Sequence, residues 1–350
     1  MRKQLPKHEP AHEPAHKPAN ELAHKPTHEL AHESAARATS SIAIIGLGKM
    51  GGNMARRLSR AGITVHGFDP AAQAQDFTAD SRVRLHRTTK AAIKACSSVT
   101  TVTAAGAPKI IWLMLPAGDA TTTAIKKITP QLSKGDIVID GGNANYLDSQ
   151  QRGKQLAKLG LRFVDCGVSG GVWGLANGYC LMFGADRAAM KLLTPIAQAL
   201  AVAPDRGWLH CGPIGSGHFS KMIHNGIEYG MMQSIAEGFA LLEGAKDYDL
   251  DLSAIAQLWQ HGSVVRSWLL DLTAQALQAP DALASVGPLV ADSGEGRWTI
   301  DEAVRQGTPA PSIALALMSR FDSQGKADTA NRLLSLMRKG FGGHATQTSK

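Results

Sequence analysis

Between residues 41 and 70 apolar and polar residues come in blocks. An apolar run, SIAII, leads into the glycine-rich GLGKMGG, then a helical pattern, then a second apolar run in GITVHGFDP. That order predicts strand, turn, helix, strand. KIIWLMLPAG (109–118), DIVIDGGN (136–143) and LRFVDCGVSGG (161–171) read as three more strands, with helical patterns filling most of the gaps. Alternating strands and helices predict a doubly wound parallel sheet. SSVTTVTAAGAP (97–108) fits poorly and reads as a loop insertion. Beyond Gly217 the strand signals stop. Residues 218–245, 251–278, 299–306 and 311–338 carry helical patterns, broken by glycine and proline near 280–296. The expected fold is therefore α/β, a Rossmann-type sheet domain over 41–216 followed by an all-α domain over 217–337.

The first forty residues differ in texture. A four-residue unit repeats, with histidine at 8, 12, 16, 24, 28 and 32 and proline at 6, 10, 14, 18 and 26. Repeated proline blocks a continuous helix, and almost nothing apolar is available to bury. Segment 1–40 reads as a disordered extension, with a metal-binding or interaction tail as the alternative.

A length of 350 residues suggests two domains, and an apolar share of 44% is ample for a core. No apolar run approaches the roughly 18 residues needed to span a bilayer, and no signal-peptide h-region is present. Cys96, Cys166, Cys180 and Cys211 form no CxxC pair and read as reduced thiols of a cytoplasmic protein. The net charge of +8 comes from scattered lysines and arginines, with aromatics at 5%. That suits an anionic small molecule better than nucleic acid, whose binders cluster their cations into a stripe.

Gly46-Leu47-Gly48-Lys49-Met50-Gly51 is a GxGxxG directly after a predicted strand and opening a predicted helix. The first glycine permits the tight turn, the second lets a pyrophosphate approach the backbone, and the third allows close helix–strand packing. Asp69, twenty-three residues after Gly46, closes the second strand. A carboxylate there accepts hydrogen bonds from ribose hydroxyls and repels a 2′-phosphate. Pro70 and Ala71 supply no compensating cation, so NAD is preferred over NADP.

The stretch GHFSKMIHNGIEYGMM (217–232) concentrates chemistry on one predicted helix. His224, Asn225 and Glu228 lie three, four and seven residues after Lys221. At about 100° per residue these fall on one arc, which offers a base, an orienting amide and a carboxylic acid. Solvated charges on a surface helix give the same spacing.

DCGVSGGVWGLANG (165–178), GPIGSGHFSKMIHN (212–225) and the glycine loop together resemble the β-hydroxyacid dehydrogenases. GGNANY (141–146), HNGIEYG (224–230), GEGRWT (294–299) and FGGH (341–344) look like the 6-phosphogluconate dehydrogenase family, in its shorter form. The resemblance covers about residues 41–345. It implies oxidative decarboxylation of 6-phospho-D-gluconate to D-ribulose 5-phosphate and CO2 without a metal. Lys221 matches the base that takes the hydroxyl proton and then polarises the new carbonyl, and Glu228 the acid that protonates the enediol. His224 and Asn225 match residues that orient the lysine and contact substrate. Ser169, Gly170 and Gly171 match the loop that holds the substrate carboxylate, and Tyr229 matches a phosphate ligand. Asn143 matches a residue between cofactor and substrate; Leu115, Pro116 and Ala117 match the loop along the cofactor. Arg338 and His344, in a C-terminal tail over 338–350, match a pair that reaches a neighbouring subunit's site, which implies a homodimer or homotetramer.

This chain departs from the family's longer form where Ser293 replaces a phosphate-binding lysine. A second phosphate-binding arginine has Arg320 as its nearest counterpart, with Arg297 as another. Many members carry Asn-Arg-Thr and prefer NADP where this chain has Asp69-Pro70-Ala71. Two other readings stay open: a non-decarboxylating 3-hydroxy acid dehydrogenase, which has no need of Glu228, and a non-catalytic dinucleotide-binding scaffold.

Overall fold

The computed structural model describes residues 41–96, 108–342 and 345–346. The histidine-rich tail, residues 97–107 of the expected loop insertion, and His344 lie outside the described residues.

Among the described residues eight strands form one sheet: β1 (Ser41–Ile45), β2 (Thr64–Phe68), β3 (Val83–Leu85), β4 (Ile110–Leu113), β5 (Ile137–Asp140), β6 (Arg162–Ser169), β7 (Cys180–Gly184) and β8 (Trp208–Gly212). Their order is β3-β2-β1-β4-β5-β6-β7-β8. The strand runs are almost continuously apolar because both faces are covered. Ile42, Ile44, Ile137 and Ile139 pack on one side, and Ala43, Ile45, Ile111, Leu113 and Val138 on the other.

The sequence pattern predicts five of these strands and misses β3, β7 and β8. β3 has three residues, too few for a periodic signal. β7 also breaks the all-parallel expectation, since it runs antiparallel to β6 with Ser169 opposite Cys180. Ten residues separate that pair. A parallel return needs a crossover of about a dozen residues or more, so the short link turns the chain back on itself.

Helices α1 (Lys49–Arg60), α2 (Thr89–Ala95), α3 (Asp119–Ile128), α4 (Tyr146–Ala157), α5 (Gly174–Asn177) and α6 (Arg187–Leu200) complete the first domain. α1 buries Met54, Ala55 and Leu58 against the face that holds Ile42 and Ile44. From its last turn, Arg57 donates to the carbonyl oxygens of Ala199 and Ala201 at 3.1 and 2.6 Å, so a cation meets the carboxyl end of α6.

The second part contains α7 (Ser216–Gly244), α8 (Leu252–Trp259), α9 (Trp268–Leu277), α10 (Pro280–Ala284), α11 (Glu295–Gln306), α12 (Pro311–Ser323) and α13 (Asp328–Gly342). Two patterns read as single helices are split. Gly262 (φ 73°) separates α8 from α9, and Gly325 (φ 72°) separates α12 from α13, because left-handed backbone cannot continue a right-handed helix. α13 runs through position 338, so the boundary expected at 337/338 falls inside a helix. Among the described residues no helix is long and apolar enough to cross a membrane.

Polar ties hold α7 and α11 to the sheet domain. The Asp165 carboxylate of β6 accepts the N–H groups of Gly215 and His218 at 2.6 and 2.8 Å, satisfying donors at the start of α7. Burial raises the Asp165 carboxyl above its ordinary range, against those hydrogen bonds. From α4, Tyr146 donates its hydroxyl to Glu302 of α11 at 2.7 Å.

Candidate active site

β1 lies between β2 and β4, where the strand order reverses. A crevice opens at the carboxyl ends of strands at such a point. Here the chain turns through Gly46 at φ 94°, where a Cβ would stand 2.3 Å from the Met114 carbonyl oxygen. A Cβ on Gly51 would stand 2.1 Å from the Gly46 carbonyl oxygen, while one on Gly48 would meet nothing within 4 Å. The turn is thus shut toward the sheet and open on the side where a phosphate would approach. Gly48 caps α1 with no side-chain hydrogen bond, so no side chain of the cap claims the first amides of that helix.

Asp69 braces this turn. Its Oδ2 accepts the Leu47 N–H at 2.7 Å and its Oδ1 the Ala71 N–H at 2.8 Å. Each oxygen keeps a further lone pair for a ribose hydroxyl. Leu115 packs beside Gly46, and Pro116 and Ala117 are exposed along the same edge; Lys49 is exposed and Met50 half-buried. An unblocked helix start, an open glycine and a carboxylate at the end of β2 fit a dinucleotide.

From Met50 a cavity of about 910 Å³ extends to α7. Asn143, Ser169, Gly170 and Gly171 line one wall, and Lys221, His224, Asn225 and Glu228 the other. The helical spacing therefore does place the four α7 residues on one surface, and that surface faces the cofactor turn. Asn143 has φ 51°, which is rare outside glycine. Its amide donates to the Val168 carbonyl at 3.1 Å and accepts the Val168 N–H at 2.9 Å, which pins the loop after β5 to β6.

Lys221 is 6% exposed. Its Nζ donates to Asn225 Oδ1 and lies 3.4 Å from His224 Nδ1. His224 Nδ1 is 2.9 Å from Asn225 Oδ1 and 3.8 Å from Glu228 Oε2. Burial pushes the Lys221 amine below its ordinary range, and Glu295, Glu228 and Cys180 pull it back in part. A buried lysine with a lowered pKa spends more of its time as a neutral base at moderate pH.

Tyr229 is buried and is not part of the cavity wall. Its hydroxyl accepts the Ser293 N–H at 3.2 Å and lies 3.0 Å from Ser293 Oγ and 3.3 Å from Asp292 Oδ1. Arg320 stacks 3.5 Å over its ring, and Arg297 pairs with Asp292 at 2.5 Å. Tyr229, Ser293, Arg297 and Arg320 thus form one corner, a helical turn beyond Asn225. Arg338 sits exposed on α13, away from the cavity wall.

Three site residues go unassigned in the sequence reading. Glu295 accepts a hydrogen bond from Asn225 Nδ2, and its only trace is the GEGRWT motif. Asp165 sits in DCGVSGG, where no spacing announces that it caps α7. Trp268 of α9 lines the cavity and has no local signal at all.

Comparison with known proteins follows the same division of the chain. The NAD binding domain of 6-phosphogluconate dehydrogenase matches residues 41–211. The C-terminal domain of 6-phosphogluconate dehydrogenase matches residues 217–347. The NAD(+)-dependent, decarboxylating 6-phosphogluconate dehydrogenase of Haloferax volcanii is 40% identical over 304 residues, covering 87% of this chain and 97% of that protein. The NADP(+)-dependent enzyme of Bacillus subtilis is 34% identical over 307 residues, covering 84% of this chain and 64% of that protein. The solved 6-phosphogluconate dehydrogenase of Plasmodium falciparum, studied with NADP+ and with 6-phosphogluconate, superposes with a TM-score of 0.71 at 27% identity, covering 88% of this chain and 66% of that one. From the glycine turn to the last helix, the chain belongs to the 6-phosphogluconate dehydrogenase family.

Proposed function

We propose that the protein oxidatively decarboxylates 6-phospho-D-gluconate to D-ribulose 5-phosphate and CO2 in the cytoplasm, with NAD preferred over NADP. The observation that carries this reading is the placing of Lys221, His224, Asn225 and Glu228 on one cavity wall, opposite Ser169–Gly171 and beside Met50 of the dinucleotide turn.

The Gly46–Gly51 turn and Asp69 would hold NAD, which would supply the hydride acceptor for C3 of the substrate. Lys221, whose burial favours the neutral amine, takes the C3 hydroxyl proton, with Asn225 holding the amine in line. The lysine is then a cation beside the new carbonyl oxygen. It draws electrons toward C3 as the C–C bond to the carboxylate breaks and CO2 leaves. Glu228 gives its proton to the carbon that lost CO2. Ser169, Gly170 and Gly171 receive the substrate carboxylate before it departs. We assign the phosphate end to the corner of Tyr229, Ser293, Arg297 and Arg320, whose two cations would serve a phosphorylated substrate despite the missing lysine. Asp69 favours NAD by repelling a 2′-phosphate.

The working form is a homodimer or homotetramer in which Arg338 and His344 complete a neighbour's site. Arg338 lies on α13, where Leu333, Leu334, Leu336 and Met337 are each more than half exposed. That much apolar side chain on one helix favours cover by another subunit.

The test is NAD reduction by the purified protein on 6-phosphogluconate, gluconate and 3-hydroxyisobutyrate, with CO2 collected. Equimolar NADH and CO2 from 6-phosphogluconate are expected. Turnover of an unphosphorylated acid alone, or NADH without CO2, would overturn the assignment.

A further inference from the structure

Glu295 opens α11, and its carboxylate is turned toward α7, where it accepts from Asn225 Nδ2. The same amide presents Oδ1 to Lys221 Nζ. Lysine, amide and carboxylate therefore form one line from the reacting amine into the wall of the site. We propose that Glu295 is a positioning residue for the reaction: it holds the Asn225 amide in the orientation that serves Lys221 and supplies the lasting counter-charge to the lysine's cationic form. The inference rests on the function proposed above.

A carboxylate can only accept hydrogen bonds and an ammonium can only donate them. Asn225 offers one of each, so a single orientation satisfies both neighbours. Rotated by half a turn, its NH2 would face the lysine and its carbonyl would face Glu295, and both bonds would be lost. His224 does not decide the matter, because its Nδ1 donates or accepts according to tautomer.

Charge points the same way. The groups facing Lys221 are His224 and Glu228 from α7, Cys180 from β7 and Glu295 from α11. Glu295 leads the groups that oppose the effect of burial on the amine, ahead of Glu228. Glu228 is 40% exposed, and in the proposed reaction it gives up a proton in each turnover. Glu295 has no such duty, so in the proposed cycle its charge is not spent on the substrate. Burial raises the Glu295 carboxyl above its ordinary range and Lys221 draws it back, so the two groups sense each other. The plain alternative is a first-turn acid that merely complements the dipole of α11.

The test compares wild type with Glu295→Gln and Glu295→Ala. Two quantities are read over pH: kcat and KM for 6-phosphogluconate, and acetic anhydride labelling of Lys221 in the NAD-free protein by mass spectrometry. Glutamine keeps an acceptor for Asn225 and removes the charge. In that variant the acid limb of kcat/KM and the labelling midpoint should both move to lower pH, since the neutral amine is favoured. Alanine removes the acceptor as well, and kcat should fall about ten- to a hundredfold while KM changes less. Should alanine fail to fold, the glutamine variant and its labelling curve still decide. If both limb and midpoint stay put while only the melting temperature changes, Glu295 is a helix-start acid and the inference is wrong. Wild type inactive on 6-phosphogluconate, with the labelling midpoint still shifted by Glu295→Gln, would sink the proposed function and leave the positioning role standing.

Discussion

A methyl group placed on Gly167 of β6 would stand 2.4 Å from Cβ of Lys221 on α7. Real carbon atoms do not approach so closely, so glycine at 167 is what lets α7 lie against the strand that leads to Ser169. The same methyl would stand 2.9 Å from the Gly217 carbonyl oxygen, which is backbone and cannot swing away. Gly167→Ala should therefore push α7 outward, at about 1–3 kcal/mol of stability. We expect a lower melting temperature together with a drop in kcat, read by calorimetry and steady-state kinetics. Unchanged values in both would mean that the helix relaxes without moving Lys221.

Lys221→Met should remove the base and the later cation at once. A loss of roughly 10²- to 10⁴-fold in kcat is expected, with NAD affinity by calorimetric titration nearly unchanged. In the proposed reaction the neutral amine is the reacting form, so kcat/KM should rise with pH along an acid-side limb. Burial places that limb below the range of an ordinary lysine.

Glu228→Gln keeps shape and removes the transferable proton. Hydride transfer needs no acid, whereas the enediol does. Turnover in heavy water should then show slow or non-stereospecific deuterium entry at the carbon that lost CO2, and kcat lower by about 10²-fold. Normal stereospecific incorporation would assign the acid elsewhere.

Asp69→Asn preserves an oxygen for the Leu47 or Ala71 N–H and removes the charge. The ratio of kcat/KM for NAD to that for NADP should narrow at least tenfold, which corresponds to about 1.4 kcal/mol. An unchanged ratio would locate cofactor choice outside this residue.

His66 of β2 lies 3.0 Å from His86, and burial, then His86 and Arg84, push its pKa down to about 4. The folded chain thus binds this proton less readily than the unfolded one, whose histidine titrates near 6.5. Stability from this site is complete above pH 6.5 and is lost as pH falls toward 4, by at most about 1.4 kcal/mol per pH unit. His66→Gln should flatten the melting temperature across that window. Glu302 acts at lower pH: Arg305 first, then the Tyr146 and Gln306 hydrogen bonds, hold its carboxyl at about 2 against burial. Its stabilisation is present above its ordinary value of 4.5 and disappears as pH falls through 2.

Local spacing carried much of this protein into view. The dinucleotide turn is legible because strand, glycines, helix and Asp69 follow one another in the chain and each constraint acts within a few residues. The face formed by Lys221, His224, Asn225 and Glu228 is legible because helical geometry maps three-, four- and seven-residue steps onto one arc. Tyr229, one step beyond Glu228, is turned about 100° away by that same geometry. What lies on that side was decided by packing: Arg320 comes to its ring from 91 positions later in the chain. Glu295 reaches Asn225 across 70 positions, and no periodicity links two helices that meet only when the chain folds. The reversal of β7 depended on a connection too short to cross the sheet, and the Gly167–Lys221 approach on how closely a strand and a helix settle. Residue order set the local elements and the chemistry each could offer, while long-range packing chose which offers would meet.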